Sequence, residues 1–347
     1  MKRIKIVKLQ VLMALVSVFL VICLVLIGSN PVWSAQKPIV MKFAHSEPPG
    51  PQGPYTYYST KFIDLVNKKT NGRIKVELYP GGQLGDEQRV IQDVQSNIIQ
   101  ATIVAVNNVS VFSPSMGAFD LPYIFTSVGD FDKIISDNRE LLNNLLRKEA
   151  GLIALSWTQQ HFRVLNNNLR PVRKITDLKG LKIRVPQNPQ QIATFKAWDC
   201  EPAPIAWSET FSAVQQRVVD GQENPYVSIY ANRYHEITKY ITEIHYKLWV
   251  GPMIVSEEWF KGLPADLQKA LLEAGLEAEK ASNTFMAKLT EEAKELLKKK
   301  GMTLVGTPED EEVWMKKAMS VWPKFYDKLG NPAVLTAFLK SLGREKP

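Results

Sequence analysis

Apolar and polar residues follow two periods along this chain, and the two periods take turns. Ile39 to Ala44 alternates in the manner of a strand and runs into a turn-rich loop, Pro48-Pro49-Gly50-Pro51-Gln52-Gly53-Pro54. Tyr55 to Asn71 then carries helical spacing through Phe62, Leu65 and Val66, with a stop at Gly72. Ile74 to Tyr79 alternates again, and Gly81-Gly82-Gln83-Leu84-Gly85 leads into a helix that starts near Asp86. Further strands are expected over Ala101 to Ala105, Leu121 to Phe125, Leu152 to Trp157 and Lys182 to Val185, with helical intervals between them. The rhythm predicts an α/β fold whose sheets are covered on both faces, with ligand sites beside strand ends. Near the C-terminus one helical pattern runs from Ala265 to Lys300, with Leu267, Leu271, Ala274, Ala278, Phe285, Leu289, Ala293 and Leu296 as its apolar positions. At 1.5 Å per residue it extends roughly 50 Å, enough to brace two domains. No repeat or low-complexity segment breaks the pattern.

The first residues change the picture of charge and location. Lys2, Arg3, Lys5 and Lys8 precede an apolar run from Val11 to Ile27, which Gly28, Ser29, Asn30 and Pro31 break, and small Ser34 and Ala35 offer a cleavage site. This reads as an export signal over 1–35. An uncleaved N-terminal anchor stays open, because the run approaches the roughly 20 residues that span a bilayer. The segment up to Ser34 holds four of the 43 Lys and Arg and none of the 35 Asp and Glu, so without it the net charge falls from +8 to +4. Much of the basicity is therefore a targeting feature, and no basic block interleaved with aromatics suggests nucleic acid. Of the two cysteines, Cys23 lies inside the signal. Cys200 then has no partner for an internal disulfide or a cysteine-based zinc site and reads as a small buried hydrophobe. The remaining length favours two domains over one.

Catalytic chemistry leaves little trace. His45, His161, His235 and His245 include no pair at zinc-helix spacing, and neither a Gly-x-Ser-x-Gly elbow nor a phosphate-binding Gly-x-x-x-x-Gly-Lys loop is present. Gly81 to Gly85 reads as a plain turn. Binding chemistry is better represented. Arg184 sits on a short strand, Lys182-Ile183-Arg184-Val185, that Pro186 ends; it points away from the apolar face formed by Ile183 and Val185. Its planar fork suits a carboxylate. Arg163 near the start of a neighbouring strand offers a second cation, although a surface or salt-bridged arginine would look the same in sequence. Asn224, before Pro225 in a Gly-containing segment, has an amide suited to a carboxylate or hydroxyl, or is a turn residue. Trp207 at a helix start is either a cleft wall or core.

In order and spacing these pieces resemble a known family. Phe43-Ala44-His45, Leu78 to Asp86, Leu121-Pro122-Tyr123, Asp177 to Pro186, Val219 to Pro225 and Leu263-Pro264 together resemble the dicarboxylate-binding, DctP-type periplasmic solute-binding proteins of TRAP (tripartite ATP-independent periplasmic) transporters. The resemblance covers nearly all of the chain after the signal. It implies a two-lobed periplasmic-binding-protein-like fold, with strands crossing at a hinge and a long C-terminal helix over both lobes. The lobes would be 36–160 with 249–289, and 161–248 with 290–347. It further implies a ligand carboxylate on Arg184, with Arg163, Asn224, Trp207 and Gln187 as matching contact positions, and the small and large subunits of a membrane permease as partners. No cofactor, metal or enzyme activity belongs to such a subunit. Sialic-acid-binding members carry charged residues where this chain reads Ala105-Val106-Asn107-Asn108, so a nonulosonic acid is disfavoured. Asn107 or Asn108 would suit a keto, hydroxy or dicarboxylic acid of modest size. Tyr55, Trp207 and Trp249 would also admit an aromatic or branched acid, and His45 is expected on the lobe opposite the arginines. An importer driven by ATP, a ligand-sensing subunit and an extracellular hydrolase are the alternatives.

Overall fold

The computed structural model describes residues 37–50 and 53–346, together with Met13 and Ser17. Contacts divide the chain into two units, Met1–Pro38 and Ile39–Pro347. In the first, Met13 and Ser17 are helical and the Ser17 hydroxyl donates to the Met13 carbonyl at 2.8 Å; the rest of the expected signal lies outside the described residues. The second unit carries the fold.

Its strands are β1 (Ile39–Ala44), β2 (Ile74–Tyr79), β3 (Ala101–Ile103), β4 (Leu152–Phe162), β5 (Val164–Asn167), β6 (Lys182–Val185), β7 (Glu201–Pro204), β8 (Gly221–Asn224), β9 (Tyr240–Thr242), β10 (Leu248–Ser256) and β11 (Thr303–Gly306). Its helices are α1 (Pro54–Thr70), α2 (Glu87–Gln95), α3 (Val106–Val109), α4 (Val128–Ala150), α5 (Pro189–Ala197), α6 (Trp207–Gln215), α7 (Tyr226–Ala231), α8 (Glu257–Lys261), α9 (Ala265–Lys299), α10 (Glu311–Met319) and α11 (Ala333–Leu342). One sheet has the order β2-β1-β3-β10-β4 and the other β11-β9-β5-β8-β6-β7. Each sheet is the centre of one lobe.

Local sequence accounts for most of these elements. Pro54 opens α1 at a position where its missing N–H costs nothing, and Asn71 in the left-handed conformation closes it. Between these caps Tyr58, Phe62 and Val66 recur at helical spacing on the buried face, and full burial of each such side chain contributes about 1.5–3 kcal/mol. Asp86 caps α2 by accepting from the Arg89 N–H at 2.9 Å. Four apolar clusters result. Met41, Phe62 and Leu271 belong to the core on one face of the first sheet, and Phe119, Trp157 and Leu142 to the core on its other face. Ile183, Trp198 and Trp314 share a core on the second sheet, whose other face packs Val164, Ile241 and Met286.

The chain passes between the lobes four times, the last between α10, whose Trp314 and Ala318 lie in a second-lobe core, and α11. β4 passes into β5 with only Arg163 between, the chain returns from β9 to β10, and the Arg163 N–H donates to the Lys247 carbonyl at 2.9 Å, so these two crossings run side by side. α9 makes the third connection, with Leu267, Leu271 and Ala274 in a first-lobe core and Met286, Leu289 and Leu297 in a second-lobe core. Gly275 lets it lie against β4: a Cβ there would stand 2.5 Å from the Leu155 carbonyl oxygen.

Three expectations change. Leu121 to Phe125 is a turn, not a strand, because Pro122 has no N–H and Tyr123 is left-handed at φ 59°, with its N–H donating to the Tyr246 carbonyl at 2.6 Å. In α9 the buried stripe passes through Ser282, Met286 and Leu297 instead of Phe285 and Leu296, since the 3.6-residue period drifts over so long a helix; Phe285 stacks on Tyr57 at 4.0 Å. Finally, the segment 290–347 does not stay with one lobe. Val334, Leu335 and Phe338 of α11 join the Phe131, Ile134 and Leu142 face of α4 in a first-lobe core, which offers their apolar stripe a matching surface.

Candidate functional site

The site lies where strands stop. Ser46 and Glu47 follow the end of β1, Asn107 and Asn108 follow β3, Pro186 follows β6 and Asn224 ends β8, so the carboxyl ends of strands from both sheets meet across one cleft. Arg184, Arg163, Asn224, Trp207, Asn107, Asn108 and Trp249 all line it, so the fold brings together seven of the nine side chains expected from the sequence. Gln187 faces two adjoining recesses instead. His45 lies behind the wall, buried among apolar groups with its ring 5.7 Å from that of Tyr55, and burial pushes it down to about 4, which keeps it neutral.

The two arginines are both buried yet differ in partnership. Arg163 forms an ion pair with Glu223: Nε meets Oε2, Nη2 donates to Oε1 at 2.9 Å, and Nη2 also reaches the Glu223 carbonyl at 2.8 Å. Burial opposes its charge, but Glu223 outweighs burial and holds the guanidinium above its ordinary value. Arg184 has no carboxylate among the described residues. Its Nε donates to the Ile205 carbonyl at 2.9 Å and its guanidinium lies 5.7 Å from the Trp207 ring centroid. With 3% of its surface exposed, desolvation pushes Arg184 down to about 10, a cost that a bound anion would relieve.

The strand that carries Asn224 has an unusual composition. β8 reads Gly-Gln-Glu-Asn and is fully buried between β5 and β6. It is held by side-chain pairing: Gln222 meets Asn166, Glu223 meets Arg163, and the Asn224 Nδ2 donates to the Gln222 Oε1 at 2.7 Å. Asn224 is thus a strand residue with a fixed amide, not a turn residue.

The opposite wall holds groups that sequence reasoning missed. Glu47 Oε2 accepts from the N–H groups of Tyr55 and Thr56 at 2.8 and 3.1 Å, at the start of α1. Glu87 accepts from the Ser46 hydroxyl at 2.7 Å, the Tyr55 hydroxyl at 3.1 Å, the Ala105 N–H at 3.3 Å and the Asn108 amide. Burial pushes Glu47 up to about 8, and it raises Glu87 although those four donors pull the other way. Asn108 therefore serves Glu87, whereas the Asn107 Nδ2, 2% exposed as a residue, has no partner. A glutamate three residues past a strand end was the available signal for Glu47.

Residues 43–329 match the profile of bacterial extracellular solute-binding protein family 7, DctP. The chain belongs to this family. A TRAP periplasmic solute binding protein from Rhodobacter sphaeroides, solved in an apo open, partially disordered state, is 41% identical and superposes with a TM-score of 0.74 over 88% of this chain and 99% of that one. One from Shewanella oneidensis with bound succinate is 27% identical, with a TM-score of 0.81 over 88% and 99%. The 2,3-diketo-L-gulonate-binding periplasmic protein YiaO of Escherichia coli is 28% identical over 247 residues, 71% of this chain and 75% of that protein. The two-lobed TRAP-type fold is thereby established, and with it a transport solute-binding role. Cys200 is buried, with its thiol pushed up to about 12, as befits a core residue.

Proposed function

We propose that this protein is the periplasmic capture subunit of a TRAP transporter and that it takes a small organic acid whose carboxylate pairs with the Arg184 fork. The observation that carries this reading is a buried arginine with no counter-ion among the described residues, facing the cleft beside Asn224 and Trp207. A cation in that position is costly until an anion arrives with matching hydrogen bonds. Relatives support the same chemistry, one holding succinate and another named for a keto sugar acid. Nothing in this scheme asks for bond-making chemistry: the site grips and releases.

Motion follows from the placement of the cleft between lobes joined by two adjacent strand crossings, a long helix and the segment leading into α11. A ligand touching both walls favours the closed form by its difference in affinity for the two forms. The ligand-bound relative superposes better than the more similar but open one, which supports a closed-type arrangement here. The closed lobes would then be the surface read by the permease subunits.

Calorimetry against a panel of organic acids, repeated with Arg184→Met, tests the assignment. Wild type should bind a carboxylate and the variant should lose at least roughly thirtyfold in affinity, as expected when one member of a buried charged pair is removed. Equal affinity would exclude Arg184 as the anchor. Small-angle scattering should record a smaller radius of gyration with ligand than without; unchanged scattering under saturation would exclude capture by closure.

A further inference from the structure

The cleft offers one unpaired cation among the described residues, not the two that a dicarboxylate would require. Arg163 is neutralised by Glu223, and Lys247 by Asp120, both pairs being buried. Arg184, Glu47 and Glu87 remain, one cation and two acids lining the same space. A ligand with two carboxylates would place a second negative charge in a low-dielectric cleft that already holds two acidic groups.

The two glutamates are not equivalent. Both Glu87 oxygens are occupied by four donors, which makes it a fixed part of the wall. Glu47 uses Oε2 for two backbone N–H groups, while Oε1 has no hydrogen bond among the described residues, on a residue only 4% exposed. Beside it stand the rings of Tyr55 and Trp249, 5.5 Å apart between centroids. A carboxylate oxygen next to aromatic rings selects a positive charge, since both present electron-rich surface to it. Asn107, with an unpartnered Nδ2, supplies a donor for an acceptor on the same ligand.

We propose that the ligand is a small zwitterion, whose carboxylate pairs with Arg184 while a cationic nitrogen meets Glu47 Oε1 beside Tyr55 and Trp249. This deepens the carboxylate reading and rests on it. Burial holds the empty-site Glu47 up near 8, and an arriving cation would return it to the ionised form that its two backbone donors already favour.

Matched ligands test it. ω-Amino, ω-hydroxy and ω-carboxy acids of equal chain length, three to six carbons, are titrated calorimetrically into the full exported protein together with α-amino acids and N-methylated betaines. Zwitterions should bind about tenfold or more tightly than their hydroxy or dicarboxylic counterparts, the worth of a charge-assisted contact. Glu47→Gln should lower zwitterion affinity by a similar factor and leave hydroxy-acid affinity within about threefold. Thermal unfolding of Glu47→Gln beside wild type separates a folding defect from lost recognition. Dianions or hydroxy acids that bind as tightly as zwitterions overturn the inference while leaving the Arg184 reading intact. Unchanged selectivity in Glu47→Gln does the same. Failure of every carboxylate to bind wild type overturns both.

Discussion

Arg163 and Arg184 lie on adjacent parts of one lobe, are both nearly inaccessible, and teach opposite lessons. Arg163 sits between the strands that cross the hinge and is answered from within by Glu223, which in turn accepts from Gln191, a donor also to the Tyr246 hydroxyl. Arg184 sits at the end of β6 and is answered by a single carbonyl. The first is architecture that fixes β8 to the crossing. The second is a binding group whose partner comes from outside. Burial alone does not distinguish them; the presence of an internal counter-ion does.

The comparison breaks most directly at Arg163. Arg163→Met strands Glu223 as a buried unpaired acid and should cost about 3–5 kcal/mol of folding stability in urea titrations. A loss below ~1 kcal/mol would remove the distinction drawn here. Arg184→Met should behave inversely: the ligand-free variant should melt at or above the wild-type temperature, because an uncompensated buried charge has gone, while affinity falls by about 2–5 kcal/mol.

The acid wall gives a pH signature of its own. Glu47 binds its proton more tightly folded than unfolded, so its contribution to the stability of the free protein is greatest below its ordinary value near 4.5 and declines as pH rises through about 8. Stability of wild type minus that of Glu47→Gln, followed by urea unfolding from pH 4 to 9, should fall across that window; a flat difference would place the group in an ordinary environment. Trp207→Ala should weaken ligand binding by a smaller amount, about 0.5–2 kcal/mol, through loss of the ring against the Arg184 guanidinium. Gln187→Ala, in an adjoining recess, should change calorimetric affinity by less than about twofold, within the scatter of ordinary surface substitutions. A larger loss would move Gln187 into the site.

Legibility in the sequence followed the driving force of each element. α1, β1, β2 and α9 were readable because burial of one apolar face imposes a period that the chain itself displays. Leu121 to Phe125 misled because its apolar residues are buried singly around Pro122 and a left-handed Tyr123, and a run of buried residues has the same composition whether extended or turned. β8 was readable only as a motif, for its polar side chains satisfy one another and display no apolar period. The α11 segment shows an apolar stripe, but no local feature says which lobe offers the complementary one.

What the sequence determined by itself was the alternation of strands and helices, the long bracing helix, the strand end that carries Arg184 and the family to which the chain belongs; all of these depend on residues close together in the chain. Tertiary structure alone decided that Glu223, 60 residues away, neutralises Arg163 and that no described residue does the same for Arg184. It also decided that Glu47 and Glu87, 40 residues apart, stand on one wall across from that arginine. Electrostatic pairing is set by distance in space and by the removal of water, and neither quantity is written in the spacing of residues along the chain.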